Sequence, residues 1–361
     1  MEKRKTIRSN RAKTIFLTAV SLLLVAILSF VGCAKAPEPT AVYATHTALQ
    51  AAYLSGETAY IDSFAKGLEE LSRPLPVVLD TSEISDDIVK VEFSKNFSFK
   101  DATTCPVQDG IAEIYNLEIG TVYYWRGVRS DGSRTNALAF CTEDVAPRNL
   151  YVDGVTNVRD LGGRTVAEGR IRQGLLFRGG RLHAKEVEIT GEGIRTMRET
   201  LGIKTEIDLR RADNNENNAQ NAGALGEGVT YLSFPMVASD DMLIANDESI
   251  RAVFARLADE SNYPLFYHCS IGTDRTGYVS FLILALLGAD IDDIQRDYLF
   301  SNFGKIGGDR NIFNVMGFEL YLTTFFNAAT LQDKAELYLL SIGVTPEEIA
   351  SFRTIMIEEN A

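Results

Sequence analysis

A cysteine and an arginine six positions apart are the residues of this sequence best suited to chemistry. They are Cys269 and Arg275, within the string His-Cys-Ser-Ile-Gly-Thr-Asp-Arg-Thr-Gly over 268–277. A thiolate is a strong nucleophile, and an arginine presents a planar fork of donors that matches phosphate oxygens. The spacing therefore predicts an anion site where Cys269 attacks phosphorus and Arg275 holds the phosphate.

The flanking residues predict the elements that must position this pair. Residues 264–267 are short and aromatic, as in a buried strand, and residues 278–287 form an apolar run that ends at Gly288, as in a core helix. In a strand–loop–helix unit, loop amides and the helix N-terminus converge on one point and favour an anion there. Gly272 permits the tight turn, and the Thr276 hydroxyl can stabilise the sulfur. The predicted phosphate-binding residues are Ser270, Ile271, Gly272, Thr273, Asp274 and Arg275.

The complete string resembles the phosphate-binding loop of the cysteine-dependent phosphatases. Its cysteine-to-arginine spacing alone is common by chance, but the full string, which ends in Thr276 and Gly277, is specific in this strand–loop–helix context. The alternative interpretation is a buried core cysteine with an unrelated surface arginine. Sulfurtransferases and arsenate reductases also carry a cysteine on such a loop, but they fit the Arg-Thr-Gly ending less well.

Further motifs narrow the resemblance to the atypical bacterial tyrosine and dual-specificity phosphatases, similar to the secreted mycobacterial tyrosine phosphatase. It covers about residues 149–358. The motifs are Asn-Val-Arg-Asp-Leu-Gly-Gly (157–163), Leu-Phe-Arg-Gly-Gly-Arg-Leu (176–182), Ile-Asp-Leu-Arg (207–210) and Arg-Asp-Tyr-Leu-Phe-Ser-Asn (296–302). The resemblance implies an α/β cysteine-phosphatase fold with a central, mostly parallel sheet flanked by helices. It also implies a Cys269 thiophosphoryl intermediate, with no metal or other cofactor.

Supporting roles follow from the same motifs. We expect His268 to orient the loop rather than to act as a base. Asn157 opens the supporting motif, and Arg159 and Asp160 are expected to buttress the loop through a charge-assisted pair. Thr273 stands where related loops carry a lysine that favours highly anionic substrates, so the resemblance gives no support to a phosphoinositide preference.

The group that protonates the leaving oxygen is the least defined feature. Such a donor is usually an aspartate on a mobile loop. Asp240 and Asp241 are the first choice, and a solvated acidic loop is their equally weighted alternative interpretation. Met236 stands where the related mycobacterial sequence carries an aspartate. Asp274 and Asp160 are the remaining candidates for this catalytic role.

The N-terminal part of the chain has a different pattern. Residues 33–74 are predicted to be a tether and helical spacer, and residues 75–145 read as short strands. The stretch Leu-Glu-Ile-Gly-Thr-Val-Tyr over 117–123 resembles the tyrosine corner of a fibronectin type III-like β-sandwich. Cys105 and Cys141 are either a disulfide or two buried thiols, because sequence cannot place their Cα atoms within bonding distance.

The first residues predict export. Six basic residues precede an apolar run over 15–31, and Phe-Val-Gly-Cys over 30–33 resembles a bacterial lipobox. Residues 1–32 then form a lipoprotein signal peptide, Cys33 is lipidated, and the protein is held on the extracytoplasmic face of the cell membrane. An uncleaved membrane anchor and plain secretion are the alternatives. The net charge of −13 argues against a nucleic-acid partner.

The sequence leaves three functions open. The first is a protein-tyrosine or dual-specificity phosphatase, whose partner is a phosphorylated protein or small phosphomonoester. The second is an inositol-phosphate or phosphoinositide phosphatase that uses the same loop. The third is a non-enzymatic surface binding protein that only docks phosphate, although the intact Cys269, Arg275 and Thr276 favour an enzyme.

Overall fold

The computed structural model describes residues 35–56, 61, 65–184, 187–211, 223–238 and 240–359, without the side chains of Val187, Asp240 and Asp241. From residue 37 onward these residues belong to one unit, made of an N-terminal β region (37–147) and a C-terminal α/β region (148–359). The predicted signal segment and Cys33 lie outside the described residues. Within the described ranges, no helix is both long and apolar enough to cross a membrane.

Two small sheets enclose the core of the N-terminal β region. Its elements are β1 (Val42–Tyr43), α1 (Ala48–Ser55), β2 (Val77–Asp80), β3 (Ile88–Ser94), β4 (Thr103–Pro106), β5 (Ile111–Ile114), β6 (Val122–Arg129) and β7 (Leu138–Thr142). A five-stranded sheet in the order β1-β7-β6-β3-β4 faces the antiparallel pair β2-β5. Val77 and Leu79 of the pair join Val91, Trp125 and Phe140 of the larger sheet in a single buried cluster.

Only part of the predicted helical spacer is helical. Strand β1 pairs with β7, so the chain enters the sheet before α1 begins. From α1, the buried Tyr53 hydroxyl donates to the Arg296 carbonyl at 3.3 Å, and its ring packs against Phe300 and Phe303. This stretch therefore ties the two regions together.

Cys105 and Cys141 are free thiols in the structure. They lie on β4 and β7, which are separated by β3 and β6 in the sheet. Because neighbouring strands are about 4.8 Å apart, two intervening strands keep the cysteines well beyond disulfide distance. Of the two interpretations of this pair, the structure supports separate thiols.

A six-stranded sheet forms the centre of the C-terminal α/β region. The strands of this region are β8 (Arg148–Asn149), β9 (Arg159–Asp160), β10 (Thr165–Val166), β11 (Gly169–Ile171), β12 (Leu176–Gly179), β13 (His183–Ala184), β14 (Val187–Glu188), β15 (Thr205–Asp208), β16 (Thr230–Ser233), β17 (Leu265–His268) and β18 (Ile357–Glu359). The sheet has the order β16-β15-β17-β12-β9-β8, in which β16, β15, β17 and β12 are parallel, whereas β9 and β8 are antiparallel at one edge. The predicted α/β fold with a mostly parallel sheet is confirmed.

Helices surround this sheet and supply most of the core. The central helix, residues Asp274–Leu286, is buried along nearly its whole length, which explains why its sequence is apolar on every side. It ends as predicted, because Gly288 has a φ of +78° that favours glycine. The helices are α2 (Gly191–Arg195), which continues as one wide turn to Thr200, α3 (Asp247–Leu257), α4 (Asp274–Leu286), α5 (Ile291–Leu299), α6 (Ile312–Phe325), α7 (Leu331–Ser341) and α8 (Pro346–Met356).

Candidate active site

The cysteine loop, residues 269–276, connects the buried strand β17 to the N-terminus of α4. The predicted strand and helix are both present, at Leu265–His268 and Asp274–Leu286. Cys269 is 2% exposed and follows directly at the carboxyl end of β17. Sites of parallel α/β sheets lie at this edge, so the fold places the cysteine where ligands bind.

The loop carbonyls are all held by groups around the loop. Because a peptide unit is planar, each fixed carbonyl turns the next amide N–H to the opposite side. Among the described residues, the amides of residues 270–273 have no protein acceptor, so four N–H groups remain for an anion. The loop carbonyls themselves accept hydrogen bonds from four residues: His268 Nδ1 to Cys269 O (3.2 Å), Arg181 N to Ser270 O (3.3 Å), Asn157 Nδ2 to Ile271 O (3.2 Å) and Gly272 O (3.1 Å), and Arg178 Nη2 to Gly272 O (2.6 Å).

Glycine is required at position 272. Its φ is +71°, in the left-handed region. A Cβ there would come within 2.4 Å of the Gly179 carbonyl carbon and 2.7 Å of the Gly180 nitrogen. The loop therefore packs directly against the end of β12, and any side chain would push the amides out of position.

The surroundings of Cys269 favour its thiolate. Burial opposes ionisation, but the Arg275 guanidinium and the side chain and backbone N–H of Thr276 hold the pKa of the thiol below its ordinary value. The buried Thr276 hydroxyl has no oxygen or nitrogen partner among the described residues, which leaves it to the sulfur. Arg275 is aligned by the Ser270 hydroxyl at 3.2 Å and the Met236 carbonyl at 3.3 Å.

A buried carboxylate and three arginines support the loop from below. Asp297 of α5 is 1% exposed and binds Arg159 Nε at 3.0 Å, Arg164 Nη2 at 2.9 Å and Arg178 Nη1 at 2.7 Å. We call these four residues the Asp297 cluster. Burial opposes its charge, but the three guanidinium groups hold the pKa of Asp297 far below its ordinary range. Through Arg178 the cluster reaches the Gly272 carbonyl.

The predicted pair between Arg159 and Asp160 does not form. Successive strand residues point to opposite faces of a sheet, so the two side chains of β9 diverge. Arg159 joins the Asp297 cluster, and its guanidinium also donates to the Asn157 side chain. Asp160 is fully buried and binds Arg148 Nη1 at 2.8 Å. Each residue thus supports the site through another partner.

Asp274 lies at the open rim of the cysteine loop. Its carboxylate binds Arg310 Nε at 2.9 Å and Nη2 at 3.1 Å, and it accepts from the Tyr298 hydroxyl at 3.2 Å. The side chain is 34% exposed. Asp240 and Asp241 belong to a short 3-10 helix over Asp240–Leu243, but their side chains lie outside what the structure describes.

Several residues that support the loop have no role that the sequence alone predicts. Arg178, Asp297 and Arg164 have no separate catalytic signature, although the first two lie inside recognised motifs over 176–182 and 296–302. The sequence signal that could identify them is a charged residue within an otherwise apolar, strand- or helix-like run. Such a residue is rarely buried unless it is paired, so it indicates a buried ion pair.

Comparisons with known proteins agree with this site. The profile of the tyrosine phosphatase family matches residues 150–358. The chain is 31% identical over 184 residues to a protein named as a tyrosine-protein phosphatase in Cupriavidus necator; the match covers 43% of this chain and 63% of that relative. It is 29% identical over 196 residues to the triple specificity protein phosphatase PtpB of Mycobacterium tuberculosis, over 41% of this chain and 67% of that protein.

The crystal structure of TpbA from P. aeruginosa matches with 19% identity and a TM-score of 0.30, over 47% of this chain and 86% of that one. The matched part spans less than two thirds of the first relative's length. The family profile itself covers more than half of the 361 residues and includes the whole cysteine loop with the motifs that support it. The chain therefore belongs to the tyrosine phosphatase family.

Proposed function

We propose that this protein is a metal-independent phosphomonoester hydrolase that acts on phosphorylated proteins. Its substrate is phosphotyrosine alone or, if its specificity is dual, phosphoserine and phosphothreonine as well. One observation carries the proposal. Four consecutive loop carbonyls are tied back by Asn157, Arg178, His268 and the Arg181 amide, which leaves four amides facing the site of Cys269 and Arg275. Preorganised donors of this kind stabilise charge that develops in a transition state.

The reaction proceeds in two steps. The Cys269 thiolate attacks phosphorus, an S–P bond forms, the P–O bond breaks, and the leaving oxygen takes a proton from a nearby acid. Water then attacks the thiophosphoryl group, which releases inorganic phosphate and restores the thiolate. Arg275 and the loop amides hold the three equatorial oxygens in both steps.

Replacement of the nucleophile tests the assignment. Cys269→Ser should abolish turnover of an aryl phosphate in the presence of a chelator while the protein still binds inorganic phosphate. Cys105→Ser is the matched control, because that thiol lies on β4 in the N-terminal β region and its loss should leave turnover unchanged. Normal turnover by Cys269→Ser would disprove the proposal.

For the proton donor, burial distinguishes two of the four candidate aspartates, Asp160 and Asp274. Asp160 is fully buried and held by Arg148, so it cannot meet a substrate in this arrangement. Asp274 combines a place in the cysteine loop with a partly exposed carboxylate, and we propose it as the donor. Asp240 and Asp241 remain the alternative on the neighbouring segment.

Leaving groups distinguish these candidates. Loss of a general acid slows departure of a poorly acidic alcohol far more than departure of a nitrophenol, by about 10²–10⁴-fold for the alcohol. We expect Asp274→Asn to show this selectivity and the Asp240→Asn/Asp241→Asn double variant to lack it. The reverse result would assign the donor to the 240–241 segment.

A substrate panel tests the specificity. Phosphotyrosine peptide should be hydrolysed, with phosphoserine peptide hydrolysed as well if the specificity is dual. An inositol phosphate is the third arm, because the same loop chemistry would serve that substrate. Preference for the inositol phosphate by an order of magnitude would overturn the protein-phosphatase proposal and support the second function named above.

We also propose that the folded unit is exported and lipid-anchored through Cys33, as its sequence predicts. The tyrosine-corner pattern supports a fibronectin type III-like N-terminal β region, since the Tyr123 hydroxyl accepts from the Glu118 amide at 2.9 Å. Cys33→Ser should move the protein from the membrane to the soluble fraction of the producing cells. Unchanged fractionation would disprove the anchor.

A further inference from the structure

The loop that presents Arg310 at the rim of the active site is held by a segment from the N-terminal part of the chain. We call residues 302–310 the rim loop and residues 65–72 the strap. Arg310 donates from Nε and Nη2 to the Asp274 carboxylate at 2.9 and 3.1 Å, so the rim loop ends beside the cysteine loop. The family profile begins at residue 150, and the strap lies well outside it. A part of this chain beyond the family profile therefore borders the active site.

Backbone hydrogen bonds join the strap to the rim loop. The four bonds are Gly67 N to Asn302 O (2.8 Å), Leu71 N to Phe303 O (2.6 Å), Ile306 N to Gly67 O (2.9 Å) and Gly307 N to Gly67 O (2.8 Å). Gly67 thus donates to the rim loop once and accepts from it twice. Because buried backbone groups need partners, these bonds fix the path of the rim loop whatever side chains it carries.

Gly67 permits this contact because it has no side chain. Its φ is +66°, in the left-handed region. A Cβ at this position would come within 2.5 Å of both the Gly308 carbonyl oxygen and Ile306 Cγ1. Ile306 is itself buried, so a side chain at position 67 would displace the rim loop as a whole.

Asn302 connects the strap to Arg310. It is fully buried, and its carbonyl accepts the hydrogen bond from Gly67. Its side chain pairs with the backbone of Arg310 in both directions: Nδ2 donates to the Arg310 carbonyl at 2.8 Å, and Oδ1 accepts from the Arg310 amide at 2.7 Å. The backbone of Arg310 is therefore fixed at both of its polar groups, which limits where its guanidinium can reach.

Helix α1 anchors the strap on its other side. The buried Gln50 side chain donates from Nε2 to the Leu71 carbonyl at 2.7 Å and to the Arg73 carbonyl at 3.1 Å. Ala65, at the start of the strap, is buried in the main hydrophobic core. Because α1 is itself bound to α5 through the Tyr53 hydroxyl, the strap has a fixed base on the α/β region.

We propose that Gly67 is a positioning residue of the active site. Through the strap and the rim loop it holds Arg310 at the rim, where the positive charge of Arg310 strengthens binding of the substrate's phosphate group. The inference rests on the proposed function in taking the cysteine loop as the phosphate site. It adds that residues of the N-terminal part of the chain determine how strongly that site binds.

Gly67→Ala tests the position of the rim loop. We expect the Kd of the full chain for inorganic phosphate, measured by titration calorimetry, to rise severalfold, as it should in Arg310→Gln. Gly202→Ala is the matched control, because Gly202 has the same φ of +66° but a Cβ there meets nothing closer than 3.9 Å. Gly202 precedes β15, at the edge of the sheet opposite the cysteine loop. The backbone strain should be similar in this control, and phosphate binding should not change.

A double variant separates positioning from general stability. The rim cation is already absent in Arg310→Gln, so the addition of Gly67→Ala should not weaken phosphate binding further. A further severalfold loss in the double variant would mean that the strap acts on the site by another route, which overturns the proposal. An unchanged Kd in Gly67→Ala alone would also overturn it. The KM for an aryl phosphate should follow the same pattern as the Kd.

Hydrogen exchange of the unsubstituted protein keeps the proposal testable even if Gly67→Ala does not fold. The amides of Ile306 and Gly307 should be protected, because they donate to the strap. The Asp309 amide has no protein acceptor among the described residues and is the internal control in the same loop. Exchange of all three amides at one rate would overturn the proposal.

Neither phosphate binding nor hydrogen exchange needs turnover. A protein that gives the expected result in both measurements but hydrolyses no phosphomonoester would disprove the proposed function alone.

Discussion

Two carboxylates bind arginines on opposite sides of the cysteine loop, and they differ chiefly in burial. Asp297 lies beneath the loop, 1% exposed, among three guanidinium groups. Asp274 lies at the rim, where its side chain is 34% exposed and binds Arg310, whose side chain is 25% exposed. Both carboxylates pair with arginine, but the Asp297 carboxylate is enclosed by its partners, whereas the Asp274 carboxylate is partly exposed to water.

The physical reason is the cost of removing charge from water. A buried ion that loses its partner leaves an uncompensated charge in a region of low polarisability, whereas an exposed ion is rehydrated. The Asp297 cluster is therefore suited to scaffolding and the rim pair to chemistry.

Asp297→Asn should have the largest effect. It removes the one carboxylate that three buried arginines share, so we expect the free energy of unfolding to fall by about 3–5 kcal/mol. Denaturant unfolding measures the change. Asp293→Asn is the matched control in the same helix: its partly exposed pair with Arg296 should contribute less than about 0.5 kcal/mol. Equal losses from both variants would contradict the assigned difference in burial.

Arg178→Lys should lower kcat up to about a hundredfold, because one fork joins Asp297 to the Gly272 carbonyl and a lysine cannot span both. Steady-state kinetics with an aryl phosphate measures the change. Arg164→Lys is the control, since Arg164 binds Asp297 but its other contact is the Leu161 carbonyl, away from the loop. A similar loss of kcat in both variants would mean that stability alone, and not the loop contact, is responsible.

A carboxylate of intermediate burial should make an intermediate contribution to the free energy of unfolding. Glu143, whose side chain is 21% exposed, accepts from the ring and amide of His46 and the amide of Thr45. Burial raises its pKa, but these hydrogen bonds prevail and lower it from 4.5 to about 2. Glu143→Gln should lower the free energy of unfolding by about 2 kcal/mol at neutral pH.

The pH dependence of this difference has a defined sign. Because the folded-state pKa of Glu143 is depressed, its contribution is complete above the unfolded value of 4.5 and is lost as the pH falls towards about 2. Urea unfolding of the two proteins at stepped pH should show their difference shrinking across that window. A difference that stays constant through it would contradict the role of the Glu143 charge.

Arg310→Gln should have the smallest effect on folding. The ion pair between Arg310 and Asp274 is partly exposed, so the free energy of unfolding should change by less than about 1 kcal/mol. The variant also removes a positive charge from the rim where an anionic substrate enters, so KM should rise severalfold and more strongly at low salt. Kinetics at two ionic strengths measures this. A destabilisation as large as that of Asp297→Asn would break the contrast between rim and interior.

Local sequence patterns predicted the parts of the site that depend on neighbours in the chain. The apolar runs on each side of Cys269 specify the strand and helix that the structure contains. Gly272 and Gly288 were predicted from turn requirements, and both have positive φ. These features follow from backbone sterics and hydrophobic burial, which act over a few residues.

Contacts between distant segments were not predictable in the same way. The pair expected between Arg159 and Asp160 is absent, because the partner of Arg159 is Asp297, which follows 138 positions later. Glu206 lies 62 positions before His268 and reaches it only because β15 and β17 are neighbours. Nothing in the local sequence around either residue specifies which charge will face it.

The sequence by itself determined the strand–loop–helix unit that holds Cys269 and Arg275 and the α/β class, because hydrophobic periodicity and steric turn requirements are properties of short segments. Only the tertiary structure decided which of the two carboxylates beside the loop is buried. It placed Asp297 in the interior and Asp274 in contact with water, and the free-energy cost of burying charge makes the first a scaffold and leaves the second available to substrate.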